Sequence, residues 1–380
     1  MATREKNVEL QELFDKGIPV YSFSKLECMH GCLYEAYRTY VLHDKANQLQ
    51  NVYSILGGNT HDVLEAITKG EATEEDLLPT IQQDLSELEM LDINFPSDSI
   101  RDGWVADMTH FCKTYKAPKG KFTTEEFFLY KSPNGNYLQG YIDLIKHNAD
   151  RTVSIYDYKT SSMYKGEDIK KHGRQLIVYA LGLEQKGFKV KNVAWIMLKY
   201  CEVKYIGKKT SRSKEETELS KVIERKNIIK ELNDVIISKL EKKGYDEVDI
   251  ECMMMNAREN NEIPSEVADE FRMIPYVMSY ELSDETRQDT MDYIDSTVEM
   301  WENLGDDEKN YPHREVWCIF QPHTFTRTKA FFHEFAEALS LADHVILADI
   351  YAARETDTLG MTSEALAEEL KSLGADAYYL

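Results

Sequence analysis

Cysteine is scarce in this sequence: six in 380 residues, at Cys28, Cys32, Cys112, Cys201, Cys252 and Cys318. Their scatter over a long chain argues against a disulfide framework. Only Cys28 and Cys32 are close, at i, i+4, which suits either a ligand pair on a helix or two buried small residues. There is no C-x-x-C and no G-x-x-x-x-G-K-[ST] phosphate loop. No apolar run reaches the roughly 18 residues of a membrane span, so no membrane association is expected. The start, MATREKNVELQELF, lacks an apolar signal core, and a cytoplasmic protein is expected. Positive charge is also short: 45 Lys and Arg against 67 Asp and Glu leave a net charge of −22. That balance argues against a protein that coats nucleic acid nonspecifically.

The charge is uneven. Residues 186–230 hold 13 Lys and Arg against 5 Glu, a local excess of 8 (13 − 5), whereas 71–102 is strongly acidic. The basic strip suits a groove for a phosphate backbone or, equally, a solvated helix face. At this length the chain can bury a sizeable core and hold two domains.

The stretch 137–160, YLQGYIDLIKHNADRTVSIYDYKT, reads as two strands and a short turn. If Asp143 faces Asp157 across the pair, two carboxylates lie about 5 Å apart on one face. Lys159, two residues beyond Asp157, points to that face too. Like charges so placed repel, and a divalent metal between them would reverse the sign. The competing reading is a solvated hairpin with charged outer residues.

Upstream, 21–42 reads as a helix capped by Ser22 or Ser24, and 51–69 as a Gly-Gly break followed by a helix capped by Thr60. His61 and Glu65 lie one above the other at i, i+4. Residues 74–92 and 97–116 read as helices, and 122–130 as a strand from which Glu125 or Glu126 could point to the same site. After the hairpin come a helix over 167–186, with Gln175 and Tyr179 at i, i+4, and strand residues 192–206. Residues 207–300 read as mostly helical, with a short strand before a helix capped at Ser283. The fold class is α/β or α+β, a sheet with flanking helices.

His61, then Gly140-Tyr141-Ile142-Asp143, then Asp157-Tyr158-Lys159-Thr160, then Gln175-Leu176-Ile177-Val178-Tyr179 form an ordered set. That set resembles the PD-(D/E)XK nuclease superfamily, in the branch of RecB-type domains and CRISPR-associated exonucleases. The resemblance covers roughly 20–205 and continues more loosely to 308, with a restriction-endonuclease-like mixed central sheet. It implies metal-dependent hydrolysis of DNA phosphodiester bonds by an exonuclease acting on ends or single strands, in recombination, repair or phage DNA processing. Carried over, Asp143, Asp157, His61 and the Tyr158 carbonyl hold Mg²⁺ or Mn²⁺. Lys159 orients and helps deprotonate the attacking water. Gln175, Tyr179 and Glu126 support the site. Implied partners are DNA and a helicase or recombination protein, in a bacterial or phage-infected cell. Many members of this branch carry a four-cysteine iron–sulfur cluster. Cys32 sits where its first ligand falls, but the C-terminal trio is missing, so no cluster is expected. A noncatalytic DNA-binding module on the same fold is the alternative.

Residues 309–380 change character. EVWCIFQ and HVILADIY suit a parallel sheet with a crossover helix over 327–341. The run Phe320-Gln321-Pro322-His323-Thr324-Phe325-Thr326-Arg327-Thr328 and, downstream, Asp349-Ile350-Tyr351-Ala352-Ala353-Arg354-Glu355 resemble the C-terminal domain of UDP-N-acetylmuramate–L-alanine ligase. Only a truncated Rossmann-like piece is present. With no nucleotide loop in the chain, ligase activity is not expected, and His323 and Arg327 read as loop and helix-start residues. A junction of two sequences is expected near 311–315, and an exposed sheet edge in the tail.

Overall fold

The computed structural model describes residues 7–44, 51–208, 216–305 and 315–380. The chain divides into two compact units, Met1–Leu304 and Gly305–Leu380. The expected boundary at 308–309 lies outside the described residues, as does the expected junction near 311–315 except for Glu315.

The first unit opens with α1 (Val8–Asp15), β1 (Val20–Ser22), α2 (Phe23–Gly31) and α3 (Leu33–Tyr40). Where the sequence suggests one helix over 21–42, two form. Ser22 caps the first, and Cys32, extended at φ −154°, breaks the run and caps the second through Sγ. Next come α4 (Val52–Lys69), α5 (Leu77–Met90) and α6 (Asp98–Thr114). The Gly-Gly pair does not break α4. Asn51 caps it in a reciprocal box with Ser54. Thr60, expected as the cap, is buried in mid-helix with its hydroxyl on the Leu56 carbonyl at 2.6 Å.

Strands β2 (Lys121–Lys131), β3 (Tyr137–His147) and β4 (Val153–Lys159) follow, then α7 (Glu167–Gln185), β5 (Val190–Gly207) and β6 (Thr217–Glu224). The unit ends with α8 (Ile228–Lys242), α9 (Glu247–Asn260), β7 (Phe271–Tyr280) and α10 (Asp284–Asn303). The expectation of a mostly helical 207–300 is corrected: β6 and β7 both join the seven-stranded sheet. β6 is a half-buried edge strand whose charged outer residues blur its two-residue period.

Two gaps in this mixed sheet position everything below. β2 runs along one whole edge of β3, from Lys121↔His147 to Lys131↔Tyr137. The other edge is shared: β1 lies parallel beside 137–139, and β4 antiparallel beside 144–147. Gly140 to Asp143 fall between those ladders. On β5, β7 takes one edge, while β4 and β6 share the other over 190–197 and 200–207. Leu198 and Lys199 fall in this second gap. Both gaps open at the C-terminal end of β4, the end of a strand where α/β sheets leave room for ligands.

Each face of the sheet is covered. Val153 and Ile155 of β4 pack with α2, α3, α7 and α10, around Leu26, Met29, Leu176 and Ile294. Tyr158, with Tyr156 half-buried beside it, packs on the opposite face with α4, α5 and α6, around Leu56, Leu64, Leu77 and Met108. This is the strand alternation of a sheet buried on both sides. A third cluster joins β5, β6 and β7 to α8 and α9 through Ile223, Leu232, Ile236 and Met254.

The second unit is a three-stranded parallel sheet, in the order β10, β9, β8, of β8 (Trp317–Phe320), β9 (His344–Leu347) and β10 (Asp376–Tyr379). The single crossover helix expected over 327–341 is two: α11 (Phe325–Ala330) and α12 (Phe332–Leu339), parted at Phe331. Helix α13 (Ser363–Ser372) lies in the β9–β10 crossover, and Leu339, Val345, Leu366 and Leu370 form the core. His323 bridges to Tyr351, and Arg327 sits near the start of α11, as loop and helix-start residues. No helix among the described residues is long and apolar enough to cross a membrane.

Candidate active site

The ladder between β3 and β4 stops at Leu144↔Tyr156. One more rung would set Asp143 opposite Asp157. Instead the strands part, and the Tyr158 amide donates to Asp143 Oδ2 at 3.0 Å. From α4, His61 Nδ1 lies 3.3 Å from the same oxygen and hydrogen-bonds the Tyr158 backbone. One carboxylate, one imidazole and the Tyr158 peptide thus meet at the sheet gap. Asp157 stands beside them, 2 % exposed.

Lys159 Nζ approaches Asp157 Oδ2 to 2.7 Å. That oxygen nevertheless has no hydrogen bond of acceptable direction. Lys159 also donates to Gln175 Oε1 at 3.3 Å, and Gln175 Nε2 donates to the Tyr179 hydroxyl at 2.8 Å. The i, i+4 pair on α7 therefore forms a relay that holds the ammonium over the carboxylates.

Two glycines bring α7 this close. A Cβ at Gly140 would stand 2.8 Å from the Phe128 ring, and one at Gly182 would stand 2.5 Å from it. Phe128 is clasped between strand and helix, edge-on to Tyr179 at 5.6 Å. Any side chain at either glycine would push α7 away from the end of β4.

The electrostatics are those of a crowded acid pair. Burial, and then the Asp157 charge, raise the Asp143 pKa well above the ordinary carboxylate value. Burial lowers the pKa of His61, against the opposing pull of Asp157. Burial would lower Lys159, but Asp157, Tyr164 and Asp143 together outweigh it and keep the ammonium charged.

The structure brings together His61, Asp143, Asp157, Tyr158, Lys159, Gln175 and Tyr179. Glu126 is not with them. It spends its carboxylate on Lys186 at 2.6 Å, and the acid whose charge reaches Asp143 and His61 is its neighbour Glu125. Glu125 holds φ at +50° on the rung opposite Asp143, a strained backbone for a residue with a side chain. Sequence alternation alone gave no sign of that irregularity. Glu27 of α2 was also missed: its Oε1 is buried without a hydrogen-bond partner, and it senses the charge of Lys159. Among the described residues of the basic strip, Lys191 pairs with Asp150, Lys204 with Glu202, Lys221 with Glu231 and Lys226 with Glu224.

The donor set suits a hard divalent cation. Its members are the Asp143 and Asp157 carboxylates, the Tyr158 peptide and the His61 imidazole, with Asp157 Oδ2 already facing the Lys159 ammonium at 2.7 Å. Among the described residues no group of three or more His, Cys, Asp or Glu side chains is placed to hold a metal ion.

The sequence profile of the PD-(D/E)XK nuclease superfamily matches residues 20–254, which takes in every residue of this cluster. Similarity of a different kind covers a short segment. UDP-N-acetylmuramate–L-alanine ligase of Lachnospira eligens is 62 % identical over 71 residues, 19 % of this chain and 16 % of that protein. The enzyme of the same name from Lachnoclostridium phytofermentans is 55 % identical over 71 residues, 19 % of this chain and 15 % of that one. The one from Agathobacter rectalis is 47 % identical over 88 residues, 23 % and 19 %. The chain spans less than a fifth of the length of each of these relatives.

Proposed function

The chain belongs to the PD-(D/E)XK nuclease superfamily, and on that premise we propose that it is a metal-dependent deoxyribonuclease, an exonuclease acting on DNA ends or single strands in recombination, repair or phage DNA processing. The observation that carries this reading is the convergence of His61, Asp143, Asp157 and Lys159 on the gap at the end of β4. Asp143, Asp157, His61 and the Tyr158 carbonyl would hold Mg²⁺ or Mn²⁺. Bound there, the ion supplies Lewis-acid polarisation of the phosphate and a lowered pKa for a water.

The protein's own residues do the rest. Lys159, kept charged by Asp157, places a proton donor and a positive charge where the attacking water and the phosphoryl oxygens meet. Gln175 aims that ammonium, and Tyr179 aims Gln175. The short ligase-like segment adds no second activity in this reading, because it spans so little of the ligases it resembles.

The test is to incubate labelled single- and double-stranded DNA with the full chain and Mg²⁺ or Mn²⁺, beside Asp143→Ala and Lys159→Ala. Cleavage by the wild type alone, with mononucleotides released from one end, supports the reading. A wild type no better than the variants sinks it, and transfer of L-alanine to UDP-N-acetylmuramate would overturn the assignment of the tail.

A further inference from the structure

Beside the carboxylate cluster, at the second gap in the sheet, lies a cavity of about 600 Å³. That volume is in the range of small-molecule sites, roughly 300–1,000 Å³. Its walls come from α4, α6, the segment after β4 and the β6 end: Tyr53, Trp104, Thr160–Ser162, Lys199, Glu224 and Lys226. Sequence analysis gave no hint of it, since these residues lie on five distant segments, with Lys199 coming from β5.

Its position is tied to the reactive centre twice. Thr160, Ser161 and Ser162 directly follow Lys159. Tyr53, Gly57 and His61 stand at i, i+4 and i+8 on α4, so they share one helix face. Eight residues at 1.5 Å each place Tyr53 about 12 Å along the helix from His61. Only Gly57 stands between them on that face, and a Cβ there would lie 3.6 Å from Thr160 Oγ1.

Its chemistry is mixed in a particular way. Tyr53 is 41 % exposed, yet its ring is backed edge-on by Phe95 at 5.5 Å, which in turn leans on Trp104 at 5.8 Å. It is a supported aromatic face open to solvent. Asp107, 0 % exposed, anchors the cationic wall. Its Oδ1 accepts the Lys226 amide at 2.7 Å, and its Oδ2 lies 3.6 Å from both Lys199 Nζ and Lys226 Nζ, without a hydrogen bond to either. Glu224 lies 2.9 Å from Lys226 Nζ and 3.6 Å from Lys199 Nζ. Lys226 is also seated over Gly103, where a Cβ would meet its Nζ at 3.4 Å. The two ammonium groups are therefore fixed in place, with Lys226 the more exposed of the two.

A simple anion would meet Glu224 as well as the lysines. A nucleotide satisfies every wall at once: a phosphate for Lys226 and the hydroxyls of Thr160 to Ser162, hydrogen-bond donors on base or sugar for Glu224, and a π face for Tyr53. We propose that this cavity seats the nucleotide that flanks the scissile phosphate, with its base on Tyr53 and its phosphate on Lys226 and the Thr160–Ser162 hydroxyls. The proposal rests on the nuclease reading, and fixes where the polynucleotide leaves the reactive centre.

The test measures binding, so that it does not depend on turnover. Fluorescence anisotropy with a labelled single-stranded oligonucleotide is read on the full-length Asp143→Ala chain and on that chain with Tyr53→Ala, Tyr53→Phe or Lys226→Ala added. Loss of one base–aromatic stack predicts an affinity drop of about five- to a hundredfold for Tyr53→Ala. Tyr53→Phe, which keeps the ring, recovers the affinity, and Lys226→Ala weakens binding and flattens its salt dependence. In the wild-type cleavage assay, an abasic nucleotide next to the cut raises KM, and adds nothing further in Tyr53→Ala. Equal affinity of the Tyr53→Ala and Tyr53→Phe chains, or no oligonucleotide binding at all, overturns the proposal. If DNA is cut but Tyr53→Ala changes neither KM nor affinity, the cavity assignment falls while the nuclease reading stands. If nothing is cut yet affinity depends on Tyr53 and Lys226, the reverse holds.

Discussion

Lys159 Nζ stands 2.7 Å from Asp157 Oδ2 without a well-directed hydrogen bond between them, while its directed bond goes to Gln175. The ammonium is thus paired in charge with Asp157 and aimed by Gln175, the placement proposed for a group that meets a water or a phosphate. Lys159→Met should cost about 10²–10⁴ in kcat, the span of a positioned proton-transfer group. It should also leave Asp157 buried without a counter-charge, at a cost on the order of 3 kcal/mol. Stopped-flow cleavage and urea unfolding check the two parts, and added Mn²⁺ should restore more stability to the variant than to the wild type.

The Gln175–Tyr179 relay predicts a graded effect. Gln175→Leu removes the acceptor for Lys159 and should lower kcat with little change in KM. Tyr179→Phe removes only the second link and should cost less, about 1 kcal/mol in stability for one buried hydrogen bond. Steady-state kinetics on both variants test this order. An equal loss for both would mean that Tyr179 acts otherwise than through Gln175.

Gly182→Ala should be harmful although it improves helix propensity. Its Cβ would press on Phe128 at 2.5 Å, and overpacking of this kind costs about 1–3 kcal/mol. Because α7 carries the relay, cleavage should fall together with the melting temperature. The added substitution Phe128→Leu should recover part of both, as read by thermal melts and cleavage rates.

The buried pair Asp107 and His110 of α6 predicts an unusual acid profile. Burial, opposed by the Lys226 amide and ammonium and by Lys199, pushes Asp107 from 3.8 up to about 6. Burial, helped by Arg225 and Lys113 and opposed by Glu262, pushes His110 from 6.5 down to about 4. The Asp107 contribution is fully present below pH 3.8 and is lost as the pH rises through about 6. The His110 contribution is present above pH 6.5 and is lost as the pH falls through about 4. Between pH 4 and 6 the two oppose each other, and Asp107→Asn removes one of them. Denaturant titrations across that window should show the variant losing stability on acidification more steeply than the wild type.

The residues proposed to carry the chemistry are legible because each sits in a short local pattern. Asp143, Asp157 and Lys159 lie on strands whose alternation reads directly, and Gln175 and Tyr179 share a face of a strongly amphipathic helix. The sequence leaves Glu125 and Glu126 as alternatives because strand alternation cannot register a φ of +50° at Glu125, which alters which carboxylate faces the cluster. β6 was read as helix because Glu218, Lys221 and Glu224 give a charged edge strand the look of a solvated helix. The cavity beside the site was invisible for a different reason. Lys199, Lys226, Asp107 and Tyr53 have no mutual spacing, and only the shared edge of β5 brings them together.

Single-turnover cleavage of end-labelled DNA, followed as a function of Mn²⁺ concentration for the wild type and Asp143→Ala, bears most directly on the central claim. The wild-type rate should be nil in chelator and rise to saturation with Mn²⁺, and Asp143→Ala should fall by at least about a hundredfold at saturation. Cleavage that persists in chelator, or an Asp143→Ala rate equal to wild type, would contradict a metal-dependent centre built on Asp143, Asp157 and Lys159.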